Sequence, residues 1–135
     1  MSQKATSSLR GLRVLVAEDE LLISEFIGDI LFSLECAVIG PVRNLTEAMR
    51  AISTNDVDAA LLDVQLGDAN VYPAANELKL RNIPFILTTG YENLSGYPAL
   101  LASAPLLTKP FNVHQLLNML NRTFLLRDRG EPHEA

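Results

Sequence analysis

The chain is expected to fold as an open, doubly wound α/β sandwich around a five-stranded parallel sheet. Short apolar runs rich in β-branched residues alternate five times with stripes of apolar residues spaced three and four apart. The runs are continuously apolar, as strands covered on both faces must be. Their connections are short, so each helix returns the chain to the same end of the sheet. No internal repeat or low-complexity linker interrupts the pattern.

The first strand is Leu12-Arg13-Val14-Leu15-Val16-Ala17, set between Gly11 and three acids. Leu22, Ile23, Phe26, Ile27, Ile30, Leu31 and Leu34 then mark one face of a helix. Cys36 to Gly40 reads as a second strand, stopped by Pro41, which has no N–H for a central ladder. Asn44 followed by Glu47 is a capping-box signal for a helix running through Ile52. The third strand, Asp58 to Asp63, ends in an acid, and a helix follows from Tyr72 to Arg81 with Pro73 in its first turn. Pro84 to Thr89 is a fourth strand closed by Gly90. Gly96 and Pro98 leave only a short or poorly ordered helix between Tyr91 and Ser103. Leu106 to Lys109 forms the fifth strand before Pro110. Asn112 with Gln115 caps a last helix whose stripe is Val113, Leu116, Leu117, Leu120 and Phe124. The boundaries that result are a flexible tail over 1–10, one domain over 11–127, and a charged flexible tail over 128–135.

Composition removes several functions. Of the 135 residues, 48% are hydrophobic and 20% charged, the balance of a globular domain. Eleven Lys and Arg against sixteen Asp and Glu give a net charge of −5, and the basic residues are scattered, which disfavours nucleic acid. No apolar run approaches the ~20 residues of a membrane span, and the first ten residues lack a secretion signal. The expected location is therefore cytoplasmic, without membrane insertion. Cys36 stands alone and reads as a small core residue. His114 reads as solvent-facing, and neither it nor His133 is assigned a role.

Ligands of open parallel sheets bind beyond the carboxyl ends of the strands. There this sequence carries Glu18-Asp19-Glu20, Asp63, Thr89-Gly90 and Lys109-Pro110. Each alone has a plain structural reading: acids favour helix starts, Asp63 suits a turn, Thr89 a strand end. Jointly they place Glu18, Asp19 and Asp63, a hydroxyl and an ammonium group on one rim. Carboxylates at ~4 Å repel by roughly 4 kcal/mol per pair at a dielectric near 20, so protons or a cation must enter. Oxygen ligands without His or Cys select a hard ion, and Mg²⁺ suits a few carboxylates with water and phosphate oxygens. Such a set would stabilise a phosphoryl group in transfer to Asp63.

Over Leu12 to Arg127 this pattern resembles the receiver domain of two-component response regulators. The resemblance implies a flavodoxin-like (βα)5 fold and one Mg²⁺ at Glu18, Asp19, Asp63 and the Gln65 carbonyl, with Glu18 acting through water. It also implies Asp63 as phosphoacceptor, Thr89 as switch hydroxyl and Lys109 as phosphate contact. A histidine kinase would donate the phosphoryl group, and the domain would catalyse only its own phosphorylation and dephosphorylation. Pro84 to Tyr91, ending Thr88-Thr89-Gly90-Tyr91, and Val71-Tyr72-Pro73 are similar to the single-domain "FAT GUY" receivers of alphaproteobacteria, which implies a kinase of the HWE class. Two positions depart from the family pattern. Gly67 stands where receivers usually have Pro, and Leu106 where an aromatic residue usually couples to the switch, a part Tyr91 is a candidate to take.

The reading is a single-domain response regulator that signals to a downstream protein partner, as a monomer or weak homodimer. Its alternatives are a phosphoryl sink or shuttle and a phosphorylation-independent adaptor. An aspartyl phosphatase would need an acid where Gln65 stands.

Overall fold

A computed structural model describes residues 9–125 of the chain. Seven strands and five helices follow in the order β1 (Arg13–Ala17), α1 (Leu21–Ser33), β2 (Ala37–Val42), α2 (Leu45–Thr54), β3 (Ala59–Asp63), β4 (Gln65–Leu66), β5 (Ala69–Asn70), α3 (Tyr72–Leu80), β6 (Phe85–Thr89), α4 (Ala99–Ala102), β7 (Leu106–Thr108) and α5 (Val113–Leu120). A π-turn, Asn121–Leu125, extends α5. The five longer strands make one parallel sheet in the order β2-β1-β3-β6-β7, as expected of the doubly wound class.

Side chains alternate across this sheet and build two cores. Leu15, Ala17, Ala60, Leu62, Phe85 and Leu87 pack toward α2, α3 and α4. Val14, Val16, Ala59, Leu61, Ile86 and Leu107 face the other way, against Ile27 and Leu31 of α1 and Leu116 and Leu120 of α5. Strands β3 and β6 are buried throughout, which explains the apolar runs Ala59–Leu62 and Phe85–Leu87 that lead to their polar ends.

The caps act as the sequence predicts, with one refinement. Asn44 accepts from Glu47 N–H, but Glu47 reaches back to Arg43 N–H rather than to the cap residue. Asn112 and Gln115 form the complete reciprocal box.

Two elements differ from expectation. Strand β2 does not stop at Gly40 but continues through Pro41 to Val42, because it is an edge strand and Pro41 need not donate. Gly40 is obligatory there: at φ +99° a Cβ would meet Val42 N at 2.6 Å and Val16 O at 2.9 Å. A two-residue hairpin, β4–β5, follows the third strand where only a connection was expected. The short or poorly ordered helix expected between Tyr91 and Ser103 is indeed short, the single turn α4. Leu9 and Arg10, in the stretch assigned to an N-terminal tail, are held. Leu9 is buried and its carbonyl accepts from Leu12 N–H and Cys36 Sγ–H, while Arg10 pairs with Glu35 at 2.7 Å. The rest of the two expected tails, 1–8 and 128–135, lies outside the described residues, as do 126–127.

Leu62 sits at the middle of the sheet with no exposed surface. Leu62→Ala is expected to cost about 2–5 kcal/mol in chemical denaturation, against under about 0.5 kcal/mol for exposed Leu80→Ala.

Candidate functional site

The carboxyl ends of β1, β3 and β7 carry the charged residues, and sheet register decides how they meet. Ala17 pairs with Leu62, so Glu18 follows β1 at the level of Asp63 at the end of β3. The prolonged β2 holds Glu18 in place, since Glu18 N–H donates to Val42 O at 3.0 Å. One carboxylate oxygen each from Glu18, Asp19 and Asp63 lies within 4.8 Å of the others. Lys109, just past β7, is anchored by its N–H to Thr89 O at 2.7 Å. Its Nζ lies 3.0 Å from Asp63 Oδ2, 3.2 Å from Glu18 Oε1 and 3.5 Å from Glu20 Oε1.

Burial sets the electrostatics. Glu18 is 2% exposed and Asp63 6% exposed. Desolvation, then the neighbouring charge of Asp63, raises the Glu18 pKa from 4.5 to about 7, although Glu20 N–H and Lys109 pull it back. Burial alone would lower the Lys109 pKa, but its bonds to Asp63 and Glu18 more than offset that and raise it. One ammonium group faces four carboxylates, so the pocket carries an excess of negative charge.

The donor chemistry fits a hard divalent ion. All three clustered groups are carboxylates, and Glu18 Oε1 is buried without a hydrogen bond. That oxygen is held only as an ion pair with the Lys109 ammonium at 3.2 Å, so it remains open as a ligand position. Asp19, Glu18 and Asp63 would hold the ion. Asp19 is oriented by a contact that sequence reading missed: Gly67 N–H donates to its Oδ2 at 3.0 Å. Gly67 opens the β4–β5 turn at φ +59°, and a proline there would have no proton to give. The departure from the family pattern at this position therefore has a use. The Gly67-Asp68 pair between two short extended segments is a two-residue hairpin signature that the sequence displayed.

The remaining predicted residues divide. Gln65 is exposed, and its N–H donates to Asp63 Oδ1 at 3.2 Å while its side chain turns to Gly67 O. Thr89 is buried at the end of β6, but its Oγ1 accepts from Tyr91 N–H at 3.2 Å instead of joining the acids. Tyr91 is 63% exposed and Leu106 is half-buried. His114 is exposed and Cys36 buried, as expected. No helix among the described residues is long and apolar enough to cross a membrane.

A doubly wound sheet whose carboxyl edge gathers an acid pair, a strand-end aspartate and a bridging lysine is the construction of a receiver domain. The chain belongs to the response regulator receiver domain family, which matches residues 14–121. Solved structures agree. PhyR from Brucella abortus superposes with a TM-score of 0.79 at 27% identity, covering 94% of this chain and 54% of that one. SdrG from Sphingomonas melonis Fr1 gives 0.71 at 32%, covering 82% and 93%. The receiver domain of the sensor histidine kinase PA1611 from Pseudomonas aeruginosa PAO1, solved with magnesium coordinated in its active-site cleft, gives 0.70 at 29%, covering 83% and 96%. The chain spans about half the length of the curated relatives it matches, among them the sensory transduction protein LytT of Bacillus anthracis, 29% identical over 114 residues, 82% of this chain and 46% of LytT.

Glu18 gives the metal-free protein a pH signature. Between 4.5 and about 7 the folded state retains a proton that the unfolded state has lost, so stability falls as pH rises through that window. In chelator, thermal unfolding from about pH 5 to about pH 8 should show this loss in the wild type and a smaller one in Glu18→Gln. Identical pH profiles for the two proteins would contradict the raised pKa.

Proposed function

We propose that this chain is a phosphoacceptor response regulator in which Asp63 takes a phosphoryl group from a histidine kinase. The observation that carries this reading is Lys109 Nζ at 3.0 Å from Asp63 Oδ2, inside a cluster of carboxylates short of positive charge. The pair holds a nucleophilic carboxylate beside a cation that is able to follow the incoming phosphoryl oxygens. Glu18, Asp19 and Asp63, with the Gln65 carbonyl, are the residues we assign to Mg²⁺. When bound, that ion neutralises charge on the transferred group and orients it for in-line attack.

The chain's own groups do the rest. Gln65 N–H and Lys109 Nζ each hold one oxygen of Asp63, which fixes the plane of the carboxylate. Gly67 N–H keeps Asp19 turned toward the cluster. Thr89 is proposed as the switch hydroxyl: its Oγ1, which accepts from Tyr91 N–H, keeps its own proton to donate to a phosphoryl oxygen. Tyr91, exposed and tied to Thr89 through that bond, moves with it and takes the part that Leu106 lacks a ring to play. The loop from Gly90 to Pro98 with the single-turn α4 is where that change is read by a downstream protein.

Signalling as a single domain, membership of the FAT GUY subgroup and a kinase of the HWE class remain parts of this proposal. The Thr89-Gly90-Tyr91 sequence supports the subgroup, the kinase class rests on that subgroup, and the match that covers 93% of SdrG supports the single-domain part. A phosphoryl sink or shuttle would use the same acceptor chemistry.

Incubation with acetyl phosphate and Mg²⁺, followed by intact-mass measurement, should add one phosphoryl group. The addition should vanish in Asp63→Asn and in chelator. Undiminished labelling of Asp63→Asn would place the acceptor elsewhere.

A further inference from the structure

One buried polar group near the site has no part in the scheme above. Thr88, the fourth of the five residues of β6, is 1% exposed, and its Oγ1 is buried without a hydrogen-bond partner. An orphaned buried hydroxyl costs stability, so its retention calls for a reason. Its position supplies one. Thr88 pairs in register with Asp63, and Thr88 O accepts from Val64 N–H at 2.9 Å, which locks the two strands together beside the acceptor. In-register neighbours of a parallel pair project to the same face, with strands about 4.8 Å apart. Thr88 follows Ile86, and Asp63 follows Leu61, on the face toward α1 and α5. Thr89 alternates to the opposite face, the side of Phe85 and Leu87, where it serves Tyr91. Because β6 lies between β7 and β3, Lys109 must cross β6 to reach Asp63. The hydroxyl that shares the face and register of the acceptor is thus Thr88.

We propose that Thr88 is a further residue of the acceptor site, whose hydroxyl donates to the Asp63 carboxyl group when Lys109 leaves it for a phosphoryl group. This rests on the phosphoacceptor reading. At rest both Asp63 oxygens are engaged, Oδ1 by Gln65 N–H and Oδ2 by Lys109 Nζ, and Thr88 is idle. In the transfer, one Asp63 oxygen bonds to phosphorus while the bond from phosphorus to the donor's leaving group breaks, and that group departs with the electron pair. The ammonium is drawn to the more highly charged phosphoryl oxygens. The carboxyl then keeps partial negative charge in a buried place with one donor fewer, and Thr88 is the neighbouring hydroxyl free to replace it. In the acyl phosphate that charge is small. The new bond therefore favours the transition state over both the resting carboxylate and the phosphorylated product, so it speeds gain and loss of the phosphoryl group alike.

The test compares wild type with Thr88→Val, which keeps the shape and removes the hydroxyl, and with Thr88→Ser, which keeps the hydroxyl. Labelling by acetyl phosphate with Mg²⁺ and decay of the label after donor removal are followed by intact mass. Thr88→Val should slow both rates by about fivefold, the worth of one such hydrogen bond. Thr88→Ser should restore both. The denaturation midpoint of Thr88→Val should equal or exceed the wild type, since an unpaired buried hydroxyl is gone. If valine does not fit, Thr88→Ala should show the same two slowed rates. Wild-type rates in Thr88→Val, or slowing that Thr88→Ser shares, would overturn the proposal. Failure of the wild type itself to take the label would instead remove the phosphoacceptor reading on which this one stands.

Discussion

Everything at the carboxyl edge depends on a single half-buried ammonium group. Lys109 reaches from an edge strand across β6 to Asp63 and Glu18, and it is the only cation paired with that cluster among the described residues. Without it, two nearly buried carboxylates in register on adjacent strands would face one another with nothing between them but Glu20 and Gln65 N–H groups. The sheet order makes the span necessary. Charge makes it favourable, and the raised pKa of Glu18 shows that the compensation is incomplete. A site balanced in this way is stable enough to fold and still short of positive charge, which is the condition for admitting a divalent ion and a phosphoryl group.

The architecture was legible because burial writes itself into composition. Strands covered on both faces must be continuously apolar, and Leu61-Leu62 and Ile86-Leu87 are. The site was legible in its membership, since chemistry-bearing residues at strand ends stand out against such runs. Its contacts were not. The bond from Gly67 to Asp19 depends on a hairpin of two-residue strands, too short to give any periodic signal. Continuation of β2 past Pro41 depends on which strand lies at the sheet edge, a tertiary fact that local sequence does not contain. Leu9 looked like the end of a polar tail because a single apolar residue has no period, yet it closes the core beside Cys36. Thr88 and Thr89 are adjacent and chemically alike, and only the pleat assigns them to opposite faces.

That assignment separates two tasks within one dipeptide. The face of Thr88 looks toward α1 and α5, where Glu18, Asp63 and Leu107 lie, while that of Thr89 looks toward α3 and α4, where the loop from Gly90 to Pro98 begins. Under the proposed scheme, chemistry at the carboxylate and rearrangement of the loop would be connected through one backbone, with Thr89 O accepting from Lys109 N–H. A shift of the strand end by a fraction of a peptide unit would be felt on both sides.

Pro41 has an effect on the outer boundary of the sheet. An unpaired strand margin invites a strand from another molecule, and proteins that stay dispersed blunt such margins. Here the margin of β2 lacks one amide proton at Pro41 and is bent at Gly40, whose backbone is left-handed. A zipper of main-chain bonds cannot run along it unbroken. Along this margin a growing cross-strand ribbon is thereby blunted, while the opposite margin, β7, is only three residues long.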